Sequence, residues 1–236
     1  DHGVVTGRIK FGTESNGGFK NITISNCTFE FCRGLALETV DGGILEDITV
    51  DNITMKDIQG APFFLRLGAR MRGPEGVPVG VLRRINISNV VVYAENPFYT
   101  SMIAGLPGHP VEDVKMSNIY IRIKGGAPKE QTMNVVDEHE KNYPDPQEFG
   151  AMPVYGFFIR HAKNVELDHV ELKLENDDFR PAILLDDVSG ASLTTVKATK
   201  VGDVPSLILK NVEDIRIKDC RPVGDVQLKK ELEKQL

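Results

Sequence analysis

The residues of this chain that could do chemistry are charged and aromatic side chains placed at intervals along it. Arg70 and Arg72 lie in the Gly- and Pro-rich run GARMRGPEGVPVG (68–80), and planar guanidinium groups suit bidentate binding of a carboxylate. Tyr143 lies in a second run, VVDEHEKNYPDPQEFG, where its ring offers a stacking face and the neighbouring acids offer proton-transfer groups. The predicted substrate-binding residues are Lys10, Glu38, Arg66, Arg70, Arg72, Tyr143, Arg160 and His161.

Other chemical signals in the sequence are weaker. The adjacent pairs Asp177-Asp178 and Asp186-Asp187 have the composition of catalytic carboxylates, but neighbours on a strand point to opposite faces. We therefore predict structural roles for both pairs. The sequence contains no Cys and His cluster with zinc spacing and no phosphate-binding glycine loop, so neither a metal nor another cofactor is predicted.

The elements that must position these residues are short strands, because one strand pattern recurs along the chain. It reads FKNITISN at 19–26, ILEDITVDN at 44–52, VLRRINISN at 81–89 and VEDVKMSN at 111–118. Polar and apolar residues alternate in each copy, as in a half-buried strand. The predicted inward residues that align these copies and three weaker ones are Ile22, Ile48, Ile85, Val114, Val165, Ala191 and Ile215.

A second series of strands alternates with the first. Its members are RIKFGTE (8–14), GLALETV (34–40), PFFLRLG (62–68), YGFFIRHA (155–162), PAILLDDV (181–188) and PSLILKNV (205–212), with SMIAGLP (101–107) less regular. Short strands repeating about every 25 residues without helices between them are typical of a solenoid. Neither a leucine-rich repeat nor a β-sandwich fits the spacing. The predicted fold is all-β, a right-handed parallel β-helix closed by a short amphipathic helix at DVQLKKELEKQL.

An asparagine follows the strand in each of the four clear copies. Asn26, Asn52, Asn89 and Asn118 fall where the chain turns, and asparagine tolerates the left-handed backbone that a tight corner requires. Stacked amides can hydrogen-bond from coil to coil. We therefore predict a corner ladder in which Asn52 and Asn89 are buried.

The alternation in the second series assigns Glu38 and Arg66 to the outward face at the same phase of adjacent coils. Strands in adjacent coils lie about 4.8 Å apart, so we expect a direct Glu38–Arg66 contact, with Lys10 diagonal to it. Insertions at 68–80 and 125–153 border this face. A sugar-binding groove and a self-neutralising charge ladder on a solvated face are both compatible with the pattern.

The composition is that of an ordinary globular protein, with 41% hydrophobic and 26% charged residues among 236. A net charge of −6 argues against a nucleic-acid surface, which requires a basic stripe. No apolar run approaches the roughly 20 residues of a membrane span. Three cysteines are too few for a disulfide scaffold, so buried thiols are expected. We expect one domain over 1–236, shortened at its N-terminus because the chain starts without Met.

Four stretches of the chain resemble glycoside hydrolase family 28, the polygalacturonase family. They are GRIKFGTESNGGFKNITISNC, RGLALETVDGGILEDITVDNITM, YGFFIRHAKNVELDHV and RPAILLDDV. The resemblance implies a right-handed parallel β-helix that is secreted or periplasmic. It also implies inverting hydrolysis of galacturonate or related pectic glycosides by aspartates, with a pectic poly- or oligosaccharide as the partner.

The chain departs from this family at the family's functional motifs. The Asn-Thr-Asp and Asp-Asp motifs belong to coils that precede this stretch, so no catalytic residue is assigned and the catalytic aspartates are expected upstream. Gly7 of Thr6-Gly7-Arg8 stands where the family has the histidine of Gly-His-Gly, and Ala36-Leu37-Glu38 stands at its Arg-Ile-Lys. Arginines of the neighbouring coil could replace the lost positive charge.

The function that follows from the resemblance is a pectin-directed glycosidase. Long insertions close a groove into a pocket, which favours exo cleavage or a side-chain sugar. Two alternatives stay open. A polysaccharide lyase on the same fold would need calcium-binding acids and a basic residue near the groove. A non-catalytic carbohydrate-binding module would explain the lost motifs.

Overall fold

The computed structural model describes residues 7–236, which are almost entirely β structure. Residues 1–6, including Thr6 of the motif comparison above, lie outside this description. Two 3-10 helices occur, at Lys129–Met133 and Pro146–Phe149. The strands of the described part are β1 (Ile9–Phe11), β2 (Phe19–Glu30), β3 (Leu35–Thr39), β4 (Ile44–Ile58), β5 (Phe63–Leu67), β6 (Val81–Ala94), β7 (Ser101–Ala104), β8 (Val111–Ile123), β9 (Phe157–Leu174), β10 (Ile183–Thr194), β11 (Lys197–Ala198), β12 (Leu207–Lys218) and β13 (Val226–Gln235).

The long strands pair in parallel, each with the next long strand along the chain. β2 pairs β4, β4 pairs β6, β6 pairs β8, β8 pairs β9, and β9 continues through β10 to β12. The partners in register include, in order, Ile22, Ile48, Ile85, Val114, Val165, Ala191 and Ile215. The predicted repeat and its phase are therefore confirmed.

The short strands form a second parallel series. β1, β3, β5, β7 and β9 are neighbours in that order, so SMIA (Ser101–Ala104) takes the place in the series that its sequence predicted. β9 joins both series, because its first residues pair β7 and its later residues pair β8. The result is one large, nearly closed, solenoid-like parallel sheet.

The core lies between the two series of strands. Leu37, Leu65 and Ile159 of the short strands are fully buried with Ile48 and Ile85 of the long strands in one apolar cluster. Burying one such side chain contributes about 1.5–3 kcal/mol, and no single coil has enough of them to be stable alone. The period-two pattern thus determines which side chains face the interior.

The opposite face of the short strands is also buried. Ala36, Phe64, Met102, Phe158 and Leu184 form a second apolar cluster. It also includes Val136, Phe149, Met152 and Val154 from the segment between β8 and β9. This covering segment, residues 125–153, therefore packs across the face on which the predicted site residues lie.

The asparagine corners are left-handed, as predicted, but they are exposed. Asn26, Asn52, Asn89 and Asn118 have φ between 52 and 57°. Asn52 donates to the side-chain oxygen of Asn26 and Asn118 to that of Asn89, each at 2.6 Å, whereas Asn89 donates to Asp51 at 2.7 Å. The prediction that Asn52 and Asn89 are buried is wrong, because the corner directs the amides outward.

The predicted C-terminal helix is wrong, since the segment forms strand β13. β13 pairs antiparallel with β12. Without β13, the backbone N–H and C=O groups along the edge of β12 would be unpaired. A strand can hydrogen-bond to these groups, whereas a helix cannot, because its own backbone groups are already paired. Leu228 packs against the core while Leu232 is 73% exposed, so the four-residue leucine spacing does not form an apolar stripe.

No helix within residues 7–236 has the length and apolar character needed to cross a membrane.

Candidate functional site

The sequence-predicted residues converge where the covering segment meets the outward face of the short strands. Glu38 and Arg66 are in register on β3 and β5, as predicted, and each side chain is only 1% exposed. The segment 68–80 is tied to the same region, because the Ala69 amide donates to the Glu140 carbonyl at 2.7 Å. The residues are brought together, but not in an open groove.

Glu38 is the most perturbed acid at this interface. Lys10 Nζ lies 2.9 Å from Glu38 Oε2 and forms an ion pair with it. Within the described residues neither carboxyl oxygen of Glu38 accepts a well-aligned hydrogen bond. Burial raises the pKa of Glu38 to about 7, against the opposing effect of Lys10 and Arg8. A carboxyl that titrates near neutrality can both donate and accept a proton.

Tyr143 of the covering segment lies beside this pair. Its hydroxyl accepts a hydrogen bond from Lys10 Nζ at 3.0 Å, and half of the residue is exposed. Hydrogen bonds from Thr13 and Lys10 hold the pKa of Tyr143 below its ordinary value. Lys10 Nζ also lies 4.6 Å from the centre of the Tyr143 ring, so Lys10 joins a half-exposed aromatic ring to a buried acid.

The two arginines of the segment 68–80 have different partners. Arg70 Nε donates to Asp41 Oδ1 at 3.0 Å, and its Nη2 makes a short contact with Oδ2. The Arg72 amide also donates to Asp41 at 3.0 Å. Although burial acts to raise it, these donors lower the pKa of Asp41. The exposed Arg72 side chain makes no hydrogen bond and no ion pair among residues 7–236, although its charge helps to lower the pKa of Asp41, and it can take an anion.

The expected Glu38–Arg66 ion pair does not form. Arg66 donates instead to the carbonyls of Gly105 at 3.0 Å and Glu138 at 2.5 Å. Its guanidinium lies 5.2 Å from the Phe149 ring centre, and burial lowers the pKa of Arg66 to about 10. The Gly105 carbonyl and the Glu138 carbonyl of the covering segment are acceptors that the strand pattern could not reveal, and Lys10 already neutralises Glu38.

Arg160 and His161 also bind the covering segment. Arg160 donates to the carbonyls of Val136 at 2.6 Å and Asp137 at 2.9 Å. His161 Nε2 lies 3.0 Å from Glu138 Oε1, and its Nδ1 lies 2.6 Å from Asp187 Oδ2. Together with Arg66, these two residues fix the segment in place.

Asp145 was missed by sequence reasoning. It is ion-paired with Arg8 at 3.0 Å and with Arg33 at 2.5 Å, which fixes the covering segment beside β1 and β3. Burial acts to raise its pKa, but the Gln147 amide and Arg33 lower it. The partners are 137 and 112 residues away, so no local signal indicates them.

No cluster of three or more His, Cys, Asp or Glu side chains in the described part of the chain could hold a metal ion.

Comparison of the chain with protein-family models, curated proteins and solved structures finds no match.

Proposed function

We propose that this chain is a right-handed parallel β-helix that acts on pectic saccharides, as a glycosidase resembling the polygalacturonases. The observation that carries the proposal is the buried Glu38 carboxyl, paired with a Lys10 that also contacts the half-exposed Tyr143. The parallel register of the successive coils supports the fold assignment.

The chemistry of this site suits an acidic sugar. The exposed Arg72 side chain makes no hydrogen bond and no ion pair among the described residues, so it can bind a carboxylate. The Tyr143 ring provides a stacking face for a sugar ring. Glu38, with a pKa of about 7, is protonated and neutral in mildly acidic solution, so it does not repel an acidic saccharide bound nearby.

A binding measurement tests this site whichever residues cleave the bond. Tetragalacturonate is titrated calorimetrically into the chain and into Arg72→Ala. We expect the Kd to rise at least tenfold in the variant, since a hydrogen bond to a charged group contributes about 1.5–3 kcal/mol. Arg216→Ala is the matched control, because it removes another exposed arginine, on β12. Equal affinities of all three proteins would contradict the proposal.

Product analysis separates hydrolysis from the alternatives. A new reducing end on a saturated product indicates a glycosidase. An unsaturated product that absorbs in the ultraviolet indicates a lyase, and Arg72-dependent binding without any product indicates a binding module.

A further inference from the structure

A second cleft opens on the same outward face, over the later coils. Its volume is about 760 Å³, and it lies above β9, β10 and β12. Residues 129–136 of the covering segment form one wall and residues 202–205 form the other. Neither Glu38 nor Tyr143 lines it, so it is separate from the Lys10–Glu38–Tyr143 site, although Arg160 borders it.

The floor of this cleft is apolar. Phe158, Leu184 and Ile208 are in register on its three strands. Phe179 lies at the rim and is 41% exposed, and Met133 and Val135 are more exposed still. Exposed apolar side chains around a concave surface indicate a ligand-binding site.

A row of charges of alternating sign runs beside the floor. Arg160, Asp186 and Lys210 are in register, and Glu233 of β13 is opposite Lys210. Among the described residues, Asp186, Lys210 and Glu233 make no side-chain hydrogen bond and no ion pair. Arg160 is 7% exposed, and its Nε is buried without a partner.

The row defines the chemistry and length of a ligand. Asp186, Lys210 and Glu233 alternate as acceptor, donor and acceptor, and with Arg160 the four charges sum to zero, which suits hydroxyl groups, since these both donate and accept. Neighbouring strands lie about 4.8 Å apart, so the row spans about 14 Å. An apolar floor beside it fits the C–H face of a sugar ring. We propose that this cleft binds a neutral oligosaccharide.

Other ligands fit the row less well. An acidic saccharide would bring its carboxylates against Asp186 and Glu233. An apolar peptide would desolvate the charges without giving them partners, which is costly. Burial raises the pKa of Asp186, in keeping with a carboxyl that is partly removed from water and unpaired.

The test is methyl NMR of the whole chain titrated with cellotetraose, xylotetraose, galactotetraose and tetragalacturonate. We expect a neutral tetrasaccharide to shift the Leu184 and Ile208 methyl signals. Its Kd should rise at least tenfold in Asp186→Asn and in Lys210→Met. Lys218→Met, on the same strand β12, should bind like the parent. If one of these variants fails to fold, Phe179→Ala takes its place, and its Kd should also rise at least tenfold.

Several results would overturn the proposal. They are the absence of a shift with every neutral tetrasaccharide, shifts confined to methyl groups around Glu38, and tighter binding of tetragalacturonate at the cleft. Shifts produced by N-acetyl-leucyl-leucine amide that are equal in the parent and Lys210→Met would show a peptide site. Failure of the neutral saccharides at the cleft would not affect the Arg72-dependent binding of tetragalacturonate, because Glu38 does not line the cleft.

Discussion

At the scale of single residues, Glu38 connects the fold to the proposed chemistry. The alternating pattern correctly assigned it to the outward face, in register with Arg66. The expected diagonal position of Lys10 is confirmed by its ion pair with Glu38, whereas the burial that raises the pKa of Glu38 could not be predicted. A strand pattern specifies the direction of a side chain, whereas its contacts depend on segments far away in sequence.

Glu38 should make stability depend on pH. Its folded-state pKa is raised from 4.5 to about 7, a shift corresponding to about 3 kcal/mol. The unfolded chain releases this proton first, so the stabilisation is complete below pH 4.5 and is lost as pH rises to about 7. Urea unfolding should show the parent losing up to about 3 kcal/mol relative to Glu38→Gln over this range. A parent–variant difference independent of pH would contradict the shift.

Asn52 tests the left-handed corner. Its φ is 54°, a left-handed conformation that asparagine tolerates and that strains most other side chains by about 1–2 kcal/mol, so Asn52→Leu should lower the free energy of unfolding by about that much. Asn52→Gly removes the same amide bond to Asn26 without the strain and should cost less than half. Equal urea midpoints for the two variants would mean that backbone strain is not the cause.

At the scale of elements, β13 shows why the C-terminal prediction failed. Leucines four residues apart suggested a helix, but the open edge of β12 needs backbone partners. β13 supplies them over eight register pairs. Helix propensity and leucine spacing are local properties of the sequence, whereas an unpaired sheet edge arises only when all the strands are assembled.

The two leucines of β13 give a matched comparison. Leu228 packs against the core and Leu232 is exposed. In urea unfolding, Leu228→Ala should cost about 1–2 kcal/mol, and Leu232→Ala should stay within about 0.5 kcal/mol of the parent. A helical C-terminus would make both substitutions costly, so equal losses would contradict the strand.

The covering segment is held by Arg66, and hydrogen exchange can test this. Arg66→Ala removes the donors to the Gly105 and Glu138 carbonyls, so amides in residues 129–150 should exchange at least tenfold faster. Arg72→Ala, whose guanidinium touches none of this segment, is the control. Unchanged exchange in Arg66→Ala would show that the apolar contacts of Phe149 and Met152 hold the segment by themselves.

At the scale of the whole molecule, the sequence predicted the stack better than the site. The seven inward residues from Ile22 to Ile215 are in register as expected. In a repeat, residues at equivalent positions of successive copies pair with one another, so the sequence itself identifies the contacts. The site depends on a segment without a repeat, whose ion pairs such as Asp145–Arg33 join distant parts of the chain. The expected open groove is consequently a covered face.

The central claim is that an acidic saccharide binds beside a Glu38 carboxyl that is protonated near neutral pH. The most direct measurement is the affinity for tetragalacturonate at about one pH unit below and above pH 7, in the parent and in Glu38→Gln. In the parent the Kd should rise by about tenfold as Glu38 ionises and repels the ligand, whereas in Glu38→Gln it should stay constant. A parent affinity that does not change with pH, or an equal change in both proteins, would contradict the claim.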